Sequence, residues 1–390
     1  MILNNLILFD GPQWQALLPL SFTRPVAELR VGITTLREKW ERVANQVSWQ
    51  TQDYLASKYP AITEAENIFV AASVLPDHDF VKAISALKFK QGLTFSGNLV
   101  AFKYSTYLPG DIADTIEFTS HLVTIEHPWD IFEKNDVALR FDFEQIAAGS
   151  KTAAISKTNN ILAPENIFVE QGAKLEFVTI DATEGPVYIG EGAEIMPGAL
   201  IKGPLALCEH ATIKMGAKIY GATTIGPWCK VGGEIQNSVL QAYSNKGHDG
   251  YLGNAVLGEW CNLGADTNNS NLKNNYDKVK MWDYATEKFA PTGLQFCGLI
   301  MGDHSKCGIN TMFNTGTVVG FSANIFGSGF PRNFVPSFSW GGASGFSVYP
   351  FEKALETARI VMGRRKLSLD EQDLKILQYI FNYTDKYRRF

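Results

Sequence analysis

From Val187 to Val231 an aliphatic side chain returns at every sixth position: Ile189, Ile195, Ile201, Leu207, Ile213, Ile219, Ile225 and Val231. Two positions before each stands a mostly small residue, such as Ala193, Ala199, Ala211 and Ala217. A period of six fits neither an α-helix nor a strand that simply runs on. It fits a parallel β-helix of hexapeptide repeats, with the aliphatic pointing into a triangular prism. Gly192, Gly198, Gly203, Gly216, Gly221 and Gly226 fall in the turns, where tight corners favour positive φ. A single coil cannot bury its own inner face, so coils must stack.

The pattern extends beyond this run. Ile161, Ile167, Val169 and Leu175 are early, irregular inward positions, and the repeat resumes at Met301, Cys307, Phe313, Val319 and Ile325. Between them it breaks near Gly232-Gly233. Residues 234–240 keep strand character without the spacing, and Leu257 and Leu263 hold the period. A polar and aromatic loop, about 267–296, bulges out; a repeat that pauses for such a loop and resumes predicts a binding role for it. Residues 330–350 read as an extended aromatic cap. Residues 351–390 read as two helices, carried by Leu355, Ala358 and Val361 and then by Leu374, Leu377, Ile380 and Phe381.

Residues 1–150 do not repeat. Asn5-Leu6-Ile7-Leu8-Phe9 reads as a buried strand ending at Asp10-Gly11, a helix is predicted over about 34–43, and a second strand over 68–72. A polar helical stretch, 121–143, forms the junction. Alternating strands and helices predict an α/β domain with a mostly parallel sheet, its ligands near 10–30 and 73–77 at the strands' carboxyl ends. The expected division is therefore 1–150, 151–350 and a helical cap at 351–390.

Composition narrows the function. The chain has 390 residues and a net charge of −5, with no basic run, which argues against nucleic acid as partner. Its opening stretch lacks a signal-peptide pattern, and no apolar run reaches the ~18 residues of a membrane span. Five cysteines with no CxxC point to reduced thiols in a cytoplasm. Cys229 and Cys307 lie on inward repeat positions, and no metal site is expected.

His248 is the leading candidate for chemistry. It sits in a glycine-flanked turn beside Lys246, Asp249 and Tyr251, and histidine titrates where it can accept a proton from an attacking amine. The plainer alternative is a surface turn histidine. Asn268, Asn269, Asn271, Asn274 and Asn275 gather with Lys273, a set suited to sugar hydroxyls and phosphate or simply to a solvated loop. Arg364, Arg365 and Lys366 suit the phosphates of a carrier such as coenzyme A, or a solvated helix end. Arg24 and Arg30 occupy the first strand-to-helix loop, where phosphates bind.

Gly247-His248, Tyr251-Leu252-Gly253 and Asn262-Leu263-Gly264-Ala265 follow an acetyltransferase pattern in order and spacing. With Pro19-Leu20-Ser21-Phe22-Thr23-Arg24-Pro25, the chain resembles the bifunctional N-acetylglucosamine-1-phosphate uridylyltransferase/glucosamine-1-phosphate acetyltransferase family. The resemblance implies a nucleotidyltransferase-like α/β domain followed by a left-handed β-helix. It implies His248 as general base, Tyr251 and Asn271 as sugar or phosphate contacts, acetyl-coenzyme A as co-substrate, and a homotrimer. Lys246 and Lys273 join the substrate-binding candidates, and Arg24 and Arg30 the phosphate-binding ones. The N-terminal pattern departs from the family: Asp10-Gly11-Pro12-Gln13-Trp14 replaces the glycine-rich loop, Val26 the lysine, and Ala72-Ser73 the Gly-Asp that holds magnesium. Gln236 stands where a substrate lysine is expected. Three readings remain: acyl transfer to an amino-sugar phosphate at His248, Mg²⁺-dependent nucleotidyl transfer in the N-terminal domain, and a non-catalytic sugar-nucleotide-binding scaffold.

Overall fold

The computed structural model describes residues 2–390. The chain divides into two compact units. The first is Met1–Leu17, Thr23–Leu29 and Thr34–His127; the second is Leu18–Phe22, Arg30–Ile33 and Pro128–Phe390. The division falls at His127, not near residue 150, because the helix Asn135–Ala147 buries Leu139 with Phe168, Tyr188 and Ala206 of the solenoid.

The first unit is built on six strands: β1 (Leu3–Phe9), β2 (Ala44–Gln50), β3 (Asn67–Ala71), β4 (Gln91–Phe95), β5 (Asn98–Tyr104) and β6 (Asp114–Glu117). Their order is β2-β1-β3-β5-β4-β6. β1 is buried from Asn5 to Phe9, as a central strand with neighbours on both sides requires. It pairs in parallel with β2 and β3, and β4 with β6. β5 runs antiparallel to both β3 and β4, because a two-residue turn at Ser96-Gly97, both with positive φ, reverses the chain. The sheet is therefore mixed. The predicted helix over 34–43 is shorter, Leu36–Glu41, and Thr35 starts it with a capping box to Glu38.

The second unit is the left-handed parallel β-helix, whose faces are sheets of six, nine and ten strands, all parallel except the terminal strand of the third. The repeat aliphatics pair coil upon coil, Ile189↔Leu207↔Ile225 and Ile195↔Ile213↔Val231, and fill one continuous core. The lost spacing after Gly233 has a simple cause. Ile219 pairs with Ile235, Ile225 with Leu240 and Val231 with Lys246, so this coil is two or three residues shorter than the regular ones. The polar loop leaves between Leu257 and its partner Met301 and carries its own antiparallel hairpin, Lys280–Asp283 with Lys288–Pro291. Trp282 of that hairpin stacks on Phe334 at 4.2 Å. The two C-terminal helices are Phe351–Gly363 and Glu371–Tyr383, and Phe351 and Phe381 pack around Phe338 at a solenoid corner.

Candidate functional site

His248 lies in the corner between the strands Asn245–Lys246 and Tyr251–Gly253, with its imidazole exposed. A Cβ added at the neighbouring Gly247 would meet open space, so the turn leaves room beside the ring. The next coil holds this turn in place: Asp266 N–H donates to the Asp249 carbonyl at 3.0 Å.

Lys246 is not at the surface. It takes the inward slot directly above Val231 and is fully buried. Its ammonium turns back and donates to the carbonyls of His248, at 2.5 Å, and Asp249, at 2.7 Å. Burial pushes it down to about 8, against the pull of Asp249 and Asp266. A lysine whose three donors face the interior and the turn's carbonyls does not reach a ligand in solvent. Its place is under the His248 turn, and the substrate-binding expectation for it gives way to that one. The period carried back from Leu257 and Leu263 points to 251 and 245, so the shifted slot of Lys246 shows only in the pairing of Val231 with Lys246 and of Ile235 with Leu252.

Tyr251 and Asn271 are twenty residues apart and come together: Asn271 Nδ2 donates to Tyr251 Oη at 2.9 Å and to Asn254 Oδ1 at 2.8 Å. Tyr251 Oη donates in turn to Gln236 Oε1 at 2.6 Å. Burial, and then the nearby Glu234 carboxylate, raise the tyrosine hydroxyl above its ordinary range. On the same sheet face Tyr220 donates to Glu234 at 2.6 Å. The result is a half-buried strip of amide and hydroxyl groups on the face that begins at the His248 corner. Sequence reasoning passed over Asn254 and Glu234, which show no period or motif of their own.

The asparagines do not act alike. Asn269 is 3% exposed and takes an inward slot, exchanging two hydrogen bonds with Gly253, each 2.9 Å, as a strand neighbour would. Asn268 accepts from Tyr251 N–H at 2.8 Å. Lys273 is outside this network and donates to the carbonyl of Lys278 at 3.1 Å. Arg365 lies over the Trp228 ring at 5.2 Å, and Lys230 is depressed by burial first and then by the nearby cations Arg365, Lys214 and Arg364.

The two N-terminal arginines fall in different units. Arg30 is buried in the second, where its main chain exchanges hydrogen bonds with the Gln241 side chain at 2.6 and 3.1 Å and its guanidinium donates to the Ile33 carbonyl. That binds a chain segment to the solenoid and removes Arg30 from phosphate duty. Arg24, in the first unit, is also buried and donates to Thr23 Oγ1 at 3.2 Å.

The Mg²⁺ that nucleotidyl transfer calls on needs carboxylate ligands. Asp10, at the end of β1, is buried, accepts from Val26 N–H at 2.8 Å and Thr51 Oγ1 at 2.5 Å, and is pushed up to about 7 by desolvation. A carboxyl so enclosed does not fit a metal ligand. Among the described residues no three His, Cys, Asp or Glu gather as a metal-holding group, and all five cysteines are buried. No described helix is long and apolar enough to cross a membrane.

Comparison with known proteins adds one sequence match. Residues 6–151 match the family model described as sugar nucleotidyl transferase. No curated protein matches the chain. Among solved structures, a UDP-N-acetylglucosamine acyltransferase from Francisella novicida is 14% identical, with 61% of this chain and 87% of that one covered and a TM-score of 0.28. One from Bacteroides fragilis is 15% identical over 59% and 97%, with a TM-score of 0.23. A mutant of an N-acyltransferase from Bacillus cereus, in complex with dTDP and coenzyme A, is 12% identical over 54% and 87%, again with a TM-score of 0.23. By the family match, the N-terminal part of this chain is similar to sugar nucleotidyl transferases.

Proposed function

We propose that this protein is a sugar-phosphate transferase whose working site is in the β-helix, moving an acyl group from acyl-coenzyme A to an amino-sugar phosphate. One observation carries the reading: an exposed histidine turn opens onto a face where Tyr251, Asn271, Gln236 and Asn254 form one hydrogen-bonded set. His248 takes the proton of the attacking amine as the nitrogen bonds to the thioester carbonyl, and the coenzyme A thiolate leaves. Tyr251 and Asn271 hold the acceptor through its hydroxyls. The sequence resemblance around 244–271 supports acetyl as the acyl group and a trimer as the working assembly. Arg364 and Arg365, with Lys214 and Lys230 nearby, suit the carrier's phosphates.

The match over residues 6–151 favours a second reading, nucleotidyl transfer in the first unit. The burial of Arg24 and the enclosure of Asp10 weigh against it.

Incubation with acetyl-coenzyme A and glucosamine 1-phosphate, followed by thiol release, tests the reading, and the buried cysteines keep the background low. His248→Ala is expected to lower the rate about 100-fold or more, the usual worth of a general base. An unchanged rate in that variant, or no thiol release from the native protein with any amino-sugar phosphate, sinks it.

A further inference from the structure

In the first unit a cavity of about 360 Å³ opens where the carboxyl ends of β1 and β3 meet the β4–β5 turn. This is where the strand order β2-β1-β3 changes direction, the place where open α/β sheets bind ligands. Its volume is within the ordinary range for small-molecule sites, about 300–1,000 Å³. A second hollow, of about 460 Å³, lies at the opposite, amino ends of β1 and β3, around Asn4 and Glu64, where that rule places no ligand.

The cavity's chemistry is unlike that of a phosphate site. Gln13, Ser73, Ser96, Asn98 and Thr124 supply uncharged amides and hydroxyls. Phe9, Phe95 and Leu99 supply apolar wall, and the lining residues include no Lys, Arg or His. Its single charged lining residue is the carboxylate of Glu126. Asp10, nearby at the end of β1, has its oxygens engaged by Val26 and Thr51. A nucleoside triphosphate brings several negative charges that need Lys, Arg or a metal to balance them, and here they would meet Glu126 instead. A ligand of hydroxyls and amides meets matching donors and acceptors.

We propose that this cavity binds a neutral small molecule bearing hydroxyl and amide groups, a nucleoside or an N-acetyl sugar, and turns away a nucleoside triphosphate. The inference is independent of acyl transfer at His248, because it concerns the other unit. All the lining residues lie within the stretch that matches sugar nucleotidyl transferases.

Calorimetric titration of the full chain with uridine, N-acetylglucosamine, and UTP with Mg²⁺ tests it. Uridine or N-acetylglucosamine is expected to bind, the one that does naming the ligand's kind, and UTP with Mg²⁺ to bind at least about tenfold more weakly, a difference that ten times the dissociation constant makes plain. Asn98→Leu, at an exposed lining position, is expected to weaken the neutral ligand about tenfold. Glu126→Lys is expected to narrow the gap to UTP. The proposal is overturned if UTP binds the native protein as tightly as uridine, if neither neutral probe binds the folded protein, or if both variants leave every affinity unchanged.

Discussion

The ammonium of Lys246, buried in the prism, donates to the main-chain carbonyl of His248, 2.5 Å away. The charged side chain drawn into this part of the solenoid's core therefore holds the turn that displays the candidate base. Lys246→Met keeps the bulk and removes both bonds. Stability is expected to change by less than about 1.5 kcal/mol, because an apolar chain suits an apolar slot and offsets the lost hydrogen bonds. Amide exchange of residues 247–250 is expected to quicken about tenfold, with exchange in 187–231 unchanged. Equal exchange in the turn would show that Lys246 only fills space.

Lys246 also makes stability depend on pH. Its folded value, about 8, is below the ~10.4 of an unfolded lysine, so between these limits the unfolded chain binds more protons. Native stability should rise with pH from about 8 to 10 through this group, and Lys246→Met should remove that rise. Urea midpoints measured across that range check it.

Asp10 acts in the opposite sense. Its carboxyl is raised to about 7 by burial, above the ~3.9 of an unfolded aspartate. The stability it contributes is complete below pH ~4 and is lost as pH climbs towards about 7. Asp10→Asn should therefore gain on the native protein by a few kcal/mol across that window, at about 1.4 kcal/mol per tenfold in the ionisation constant, and run parallel to it above. A constant difference at every pH would disprove the assignment.

Tyr251→Phe removes the hydroxyl that joins Gln236 to Asn271. The expected stability cost is about 1 kcal/mol, that of a partly buried hydrogen bond. If the strip holds the acceptor, the acceptor KM rises about tenfold while the KM for acetyl-coenzyme A stays put.

Glycines at two corners should respond differently to alanine. A Cβ at Gly226 would sit 1.8 Å from the Gln241 carbonyl oxygen, so Gly226→Ala must push two coils apart and should cost about 3 kcal/mol or more, beyond the usual ~1–3 of overpacking. At Gly216 a Cβ meets nothing within 4 Å, and only its positive φ opposes the change. Gly216→Ala should cost about 1–2 kcal/mol. Thermal denaturation of the two variants separates them.

The sequence by itself determined the solenoid. Ile189 to Val231 hold one phase because each inward residue must fill the same slot as its neighbour a coil away, and that need is written as a period. It also showed the two C-terminal helices, the strand at Asn5, and the turn that carries His248. It missed β2, whose ANQVSWQ stretch is an edge strand with only Ala44 and Ser48 buried and its apolar Val47 and Trp49 half-buried, so it shows no apolar alternation. Only the tertiary structure decided the short coil after Gly233, which shifts the register so that a lysine enters the prism. It alone decided that Tyr251 meets Asn271, that Arg30 is engaged by Gln241, and that the cavity beside β1 is lined without a cation. These depend on which residues face one another across coils and strands. Periodicity reports whether a side chain is buried; partners far apart in the chain are set by register, which accumulates over every turn between them.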